Sequence, residues 1–291
     1  LTQCLFCFFA EDVGLLPGRL FERLVGVASA AERLRPQLEK LFEAMRDGGL
    51  FGVDDVPWFN GGLFQRIEVP PLEPATVAAL KAASGLDWSA IDPTIFGTLF
   101  ERGLDPAKRS QLGANFTDPA TIMRLVDPVV ARPLRADWAN AQAAAVLLAT
   151  EAAELSGKAH DAKMEEAGGE LRKFHHQLCS LRVLDPACGS GNFLYLALKT
   201  LKDIEHQVNL EAEALGLERQ IDVTGPHNVL GIELNEYAAE LARVTVWIGE
   251  LQWRIQRGHG FKTQPVLEPL DHIECRDAVL NADGSEAVWP T

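Results

Sequence analysis

A chain of 291 residues that is 47% hydrophobic and 23% charged can bury a sizeable core, as one large domain or two ordinary ones. That composition excludes collagen-like, disulfide-framework and fully disordered chains. With 27 basic against 41 acidic residues the net charge is −14, the wrong sign for a surface whose main task is neutralising phosphates, so any nucleic-acid contact must be local.

The opening Leu1 to Ala10 is apolar, but it has about half the roughly 20 residues a bilayer span needs and no flanking leader pattern. It reads as a buried helical turn. A chain that opens on such a segment without methionine is expected to be a piece of something longer. Five scattered cysteines are too few for a disulfide framework, which points to the reducing cytoplasm.

Ser29-Ala30-Ala31-Glu32 has capping-box spacing, and Ala30, Leu34, Leu38, Leu41 and Phe42 then share one helical face, so a core-facing helix runs on to Met45, kinked or restarted at Pro36. Phe59-Asn60-Gly61-Gly62-Leu63-Phe64 is a tight turn between aromatic anchors, better read as packing than as a ligand loop, and Pro70-Pro71 forces an extended connection. A second helix is expected over Pro93 to Arg102. Thr117 or Asp118 can cap another that starts at Pro119 and presents Ile122, Leu125 and Val126 before Pro128 interrupts it.

From Trp138 to Cys179 the chain is rich in alanine, glutamate and lysine, with Gly157 and Gly168-Gly169 as breaks, which predicts two or three solvated helices in a hairpin. His175, His176, Cys179 and Cys188 lack paired-ligand spacing, and Cys4 and Cys7 lack a second pair, so no metal is expected.

From Leu181 the pattern changes. Leu181 to Leu184 is a short strand ending in Asp185, followed by a glycine loop and a helical stretch from Phe193 to about Leu215. Val229 to Ile232 repeats the device and ends in Glu233, after which Asn235 caps a helix striped by Leu241, Val244, Trp247, Ile248 and Leu251. A third strand, His272 to Cys275, runs to Asp277. Such alternation argues for a parallel α/β sheet whose ligand lies beyond the carboxyl ends of the strands, where all three acids stand.

The corner Asp185-Pro186-Ala187-Cys188-Gly189-Ser190-Gly191-Asn192-Phe193 allows a sharp turn and close backbone approach to a ligand. Three features argue against a dinucleotide. The third glycine of G-x-G-x-x-G is missing, the following acid, Glu233, lies 42 residues past Gly191, and Asp185 would meet a pyrophosphate as like charge, costing about 1 to 4 kcal/mol at 4 Å. A cationic ligand without phosphate fits better. S-adenosylmethionine is such a ligand, with Glu233 placed for its ribose hydroxyls and Asp277 for its adenine amine.

Asp185 to Phe193 resembles the first motif of class I S-adenosylmethionine-dependent DNA methyltransferases, specifically the adenine-N6 group of restriction-modification systems. Gly231-Ile232-Glu233-Leu234-Asn235 resembles their ribose motif, and Gly113-Ala114-Asn115-Phe116-Thr117 the motif that precedes the first strand. With Phe96 to Arg102 and Gln111 to Gly113, the order is most similar to MmeI-like enzymes, in which an endonuclease, a helical connector, a methyltransferase and a target-recognition domain share one chain.

The resemblance implies a Rossmann-like methyltransferase sheet, first half only, preceded by a mainly helical domain: a connector over 1–110 and the cofactor-binding part over 111–291, with a helical insertion at about 138–180. It implies a cofactor site of Phe116, Thr117, Asp185, Ala187, Gly189, Gly191, Asn192, Phe193, Glu233, Leu234, Asp277 and Ala278. Phe116 replaces the tyrosine usual in the family. The catalytic loop, Asn or Asp followed by Pro-Pro and an aromatic, does not occur here, so no catalytic residue is assigned and the segment is expected to be inactive by itself. Methyl transfer would then be to adenine flipped from duplex DNA. From Leu181 onward 9 basic residues stand against 17 acidic, so DNA contact is expected mainly outside this segment. Other readings are a methyltransferase acting on protein or a small molecule, a non-catalytic α/β binding module, and a nicotinamide-cofactor enzyme.

Overall fold

The computed structural model describes residues 2–27, 31–59, 63–95, 97–98, 117–258 and 270–290. The first elements are α1 (Thr2–Asp12), α2 (Leu20–Val27), α3 (Ala31–Asp47), the antiparallel pair β1 (Gly49–Phe51) and β2 (Asp54–Val56), and α4 (Pro74–Ser84). The apolar opening is indeed a buried helix. Phe6 meets Phe59 and Phe64 edge-on at centroid distances of 5.6 and 6.0 Å, and Phe8 stacks on Trp88 at 5.1 Å. On α3, Leu34, Leu38, Leu41 and Phe42 are buried as predicted, with Met45. Pro36 leaves that helix unbroken; it is exposed, so the carbonyl deprived of a donor faces water. Ser29, Ala30, the turn Asn60–Gly62 and half of the helix expected over Pro93 to Arg102 lie outside the described residues. The sequence reading missed α2, the β1–β2 hairpin and α4.

The next elements are α5 (Pro119–Val126), α6 (Arg132–Ala153) and α7 (Lys158–Ser180). Asp118 caps α5 by accepting from the Thr121 N–H at 3.0 Å. The structure departs from the sequence expectation at several points along this run. Pro128 does not interrupt the chain, because residues Asp127–Ala131 widen into a π-turn in which the Arg132 N–H reaches back to Asp127 O, and α6 continues from it. Ile122, Val126, Val130 and Leu134 line the buried side of this run, whereas Leu125 is 58% exposed. Gly168-Gly169 does not break α7, so the hairpin has two helices, with its turn at Gly157. The hairpin is not merely solvated either. Trp138, Ala145, Ala167, Leu171, Phe174 and Leu178 form a second core with Val208 and Ala212.

The sheet contains β3 (Val183–Asp185), β4 (Val229–Glu233) and β5 (Ile273–Cys275), parallel and in the order β3-β4-β5, interleaved with α8 (Asn192–Ala214) and α9 (Glu236–Gln256). This is the predicted alternation, and α8 and α9 pack side by side. One continuous core joins α1 to α4 with the sheet and α9, from Phe6 and Leu41 through Val229 and Leu241 to Ile273. Helix α8 lies between the two cores, giving Leu194 and Leu198 to the first and Leu201 and Val208 to the second.

A buried carboxylate fastens α8 to the loop before β4. Glu205 accepts from the N–H groups of Val223 (2.6 Å) and Thr224 (3.0 Å) and from the Thr224 hydroxyl, with His175 Nδ1 at 3.5 Å. Burial pushes this carboxyl up, but the neighbouring His175 and the bonds from Thr224 and Val223 outweigh it and hold it below the ordinary glutamate range. Its contribution to stability is therefore present above that range and lost as pH falls through the lower folded value. Glu205→Gln, which turns a donor toward those N–H groups, is expected to lower stability by about 2 to 3 kcal/mol at pH 7. Urea midpoints should show the gap to wild type closing toward pH 3; a gap constant with pH would contradict this account.

Candidate cofactor site

The site is built at the carboxyl ends of β3, β4 and β5. The strand acids are stepped rather than level: Asp185 pairs with Gly231, and Glu233 with Cys275. The offset of two residues keeps Asp185 and Glu233 on one side of the sheet. After Asp185, the Cys188 N–H donates to Ile232 O at 3.0 Å and the Gly191 N–H to Cys188 O at 2.8 Å, folding the loop over the end of β4.

Two glycines shape that loop, both with left-handed backbone. At Gly191 (φ 82°) a Cβ would lie 2.8 Å from Ala242 Cα, so the loop rests directly on α9. At Gly189 (φ 53°) a Cβ would meet nothing within 4 Å, which leaves an open cradle beside the backbone.

Glu233 closes the arrangement. One carboxylate oxygen accepts from the Gly189 N–H at 2.9 Å and the other from the Asn235 N–H at 2.8 Å, while Asn235 caps α9 by accepting from the Ala238 N–H. Each oxygen keeps a lone pair for a further donor, as a vicinal diol requires. Asp185 accepts from the Ala187 N–H at 3.1 Å. Burial pushes its carboxyl up; the Ala187 bond pulls it down, and the nearby Glu233 charge raises it again, leaving it above the ordinary aspartate range. Among the described residues neither Asp185 nor Glu233 has an ion-pair partner.

The remaining expected residues fall as follows. Asp277, beyond β5, accepts from the N–H groups of Val279 (2.7 Å) and Leu280 (3.2 Å), which hold its carboxyl low. Ala278 O accepts from the Trp289 indole at 2.7 Å, Ala187 and Leu234 are exposed, and Phe193 packs against the second core. Asn192, first residue of α8, is buried and donates to Thr94 O at 3.4 Å. Thr117 precedes the Asp118 cap of α5, which packs on α8. Phe116 lies outside the described residues. The sequence reading missed the tie from Glu233 to Gly189, since bonds across 44 residues leave no local pattern, and it missed Gln252, a buried amide within the apolar stripe of α9.

This donor set fits S-adenosylmethionine. Two carboxylates without a cation suit its ammonium and sulfonium, Glu233 suits its ribose, and the Gly189 N–H that would cradle a phosphate already serves Glu233. Asp185 must be ionised to attract a cation, so affinity should fall on acidification while pH is still above the ordinary aspartate range. Calorimetric titration of the full-length protein between pH 8 and 4 checks this, and a profile flat down to pH 4 would contradict it.

A parallel sheet with a glycine corner and strand-end acids defines the Rossmann-like class I methyltransferase architecture. Residues 158–289 match the profile of the MmeI DNA-methyltransferase domain and residues 1–64 that of the MmeI helicase spacer domain. The chain is 26% identical to DNA methyltransferase A of Bacillus subtilis (strain 168), over 99% of this chain and 32% of that protein. It superposes with a TM-score of 0.74 and 27% identity on the solved structure of the Type IIL restriction-modification enzyme MmeI in complex with DNA, over 97% of this chain and 36% of that one. Residues 158–289 therefore belong to the MmeI DNA-methyltransferase domain family and residues 1–64 to the MmeI helicase spacer family, and the chain spans about a third of the length of these relatives. Among the described residues no helix is long and apolar enough to cross a membrane.

Proposed function

We propose that the chain is the cofactor-binding part of a DNA methyltransferase that modifies adenine at N6 in duplex DNA. In this reading 1–110 is the helical connector and 111–291 the first part of the methyltransferase domain, with the hairpin near 138–180 as an insertion. The observation that carries it is the Asp185–Glu233 carboxylate pair at the Gly189 cradle, which has no ion-pair partner among the described residues, in a segment that matches the MmeI DNA-methyltransferase profile.

When bound, S-adenosylmethionine supplies an electrophilic methyl group on its sulfonium. Asp185 would attract the cationic end, Glu233 would orient the ribose, and the open space at Gly189 would admit the ligand close to the backbone. Asp277 accepts from the adenine amine with the lone pairs its turn leaves free. Activation of the target amine falls to the Asn/Asp-Pro-Pro-aromatic loop, which these 291 residues do not contain, so the segment binds cofactor without transferring methyl groups. Duplex DNA is held mainly by parts outside it, in line with the acidic balance after Leu181.

The test is a transfer assay on the full-length protein with methyl-labelled cofactor and duplex DNA, followed by nucleoside analysis. Label in N6-methyladenine is expected. Label in cytosine would overturn the base assignment, and label confined to protein would overturn the DNA assignment.

A further inference from the structure

Residues 88–94 connect the N-terminal helices to the cofactor half by a short run of polar bonds. At its near end the Trp88 N–H donates to Asp12 at 2.6 Å and the Trp88 indole to Ala83 O at 2.8 Å, while the ring stacks on Phe8. Further on, Gln252 of α9, only 8% exposed, donates its single amide nitrogen to two carbonyls of this run, Ser89 O at 3.1 Å and Ile91 O at 2.7 Å. Asp92 then fixes the next turn by accepting from the Thr94 N–H and hydroxyl, and Thr94 O receives Asn192. Asn192 follows Gly191, which rests on Ala242. Gln252 lies ten residues beyond Ala242, about 15 Å along α9. The run thus crosses from the far half of α9 to the first turn of α8, immediately behind the cofactor loop.

We propose that residues 88–94 form a strap that clamps the first turn of α8 against α9, and that Gln252 is its positioning residue, so that docking of the N-terminal helices sets cofactor affinity. This rests on the cofactor site proposed above. A buried amide placed between two carbonyls is a poor choice for packing, since its loss leaves both acceptors without that donor. It is a good choice for fixing one segment at one height on a helix. Gln252 itself is remote from the strand ends, so it acts through the strap and Asn192.

The test uses the full-length protein. Gln252→Met, close in shape but without donors, is expected to weaken S-adenosylmethionine binding about fivefold or more in calorimetric titration, the effect of losing two ordinary hydrogen bonds. A control of similar thermal loss in the second core, Val208→Ala, should stay within about twofold of wild type. Gln252→Met within the same twofold, or equal weakening by Val208→Ala, would overturn the proposal.

A measurement on the unmodified protein covers the case in which Gln252→Met does not fold. Adding S-adenosylmethionine should slow amide hydrogen exchange in 89–95 together with 187–193. Slowing confined to 187–193 overturns the strap while keeping the site, whereas no slowing in 187–193 rejects the cofactor reading on which the strap rests.

Discussion

Asp185→Asn is expected to weaken S-adenosylmethionine binding about 100-fold while leaving the thermal midpoint unchanged or slightly raised. Two unit charges 4 Å apart attract by about 4 kcal/mol at an effective dielectric constant of 20, and partial exposure reduces this to roughly 2 to 3 kcal/mol, about two decades of affinity. Stability should not suffer, because the carboxylate is already disfavoured before the ligand arrives: burial and the Glu233 charge push its pKa up. Asparagine keeps an oxygen for the Ala187 N–H and removes the charge. Calorimetric titration and thermal unfolding of the same samples separate the two effects. Binding within about twofold of wild type would reject the cationic-ligand site. Asp277→Asn should do less to affinity, since that carboxylate is committed to the Val279 and Leu280 N–H groups and stands in more open surroundings.

What the sequence made legible is what local chemistry determines. Asp185, the two glycines and the start of α8 were readable because a strand, a left-handed turn and a helix each impose their own residue types over a few positions. Asn235 was readable because a cap is chosen within three residues of the N–H it serves. The turns of fortune at Pro128 and Gly168-Gly169 have the opposite origin. A π-turn accommodates Pro128 because Val126 before it and Leu134 after it both bury their side chains in the second core, and α7 survives two glycines because Ala167 and Leu171 pack into the same core. Both are decided by contacts that a propensity argument cannot see. The same holds within the site. Glu233 could be assigned to a ligand from its strand end, yet its bond to the Gly189 N–H exists only once β3 and β4 are side by side. The strap is the extreme case, with Gln252 bonded across 161 and 163 residues.

Gly191→Ala is expected to lower the thermal midpoint by about 10 °C or more, and Gly189→Ala by far less, although both residues have positive φ. The left-handed backbone alone costs an L-residue about 1 to 2 kcal/mol, and that part is common to both variants. The difference lies in what the new methyl group meets. At position 191 it would stand 2.8 Å from the Cα, and 3.0 Å from both the Cβ and the carbonyl oxygen, of Ala242. No side-chain rotation relieves contact with a helix backbone, so α8 and α9 must separate where Leu194, Leu198 and Leu241 share the first core. That adds about 2 to 3 kcal/mol, and at roughly 2 to 4 °C per kcal/mol for a domain of this size the total reaches the expected shift. At position 189 the methyl group enters open space, so its effect should fall on the ligand instead, by filling the cradle. Differential scanning fluorimetry and calorimetric titration of the two variants together test both halves. Equal thermal losses would show that the loop does not rest on α9, and undiminished cofactor binding by Gly189→Ala would show that the ligand does not pass over that cradle.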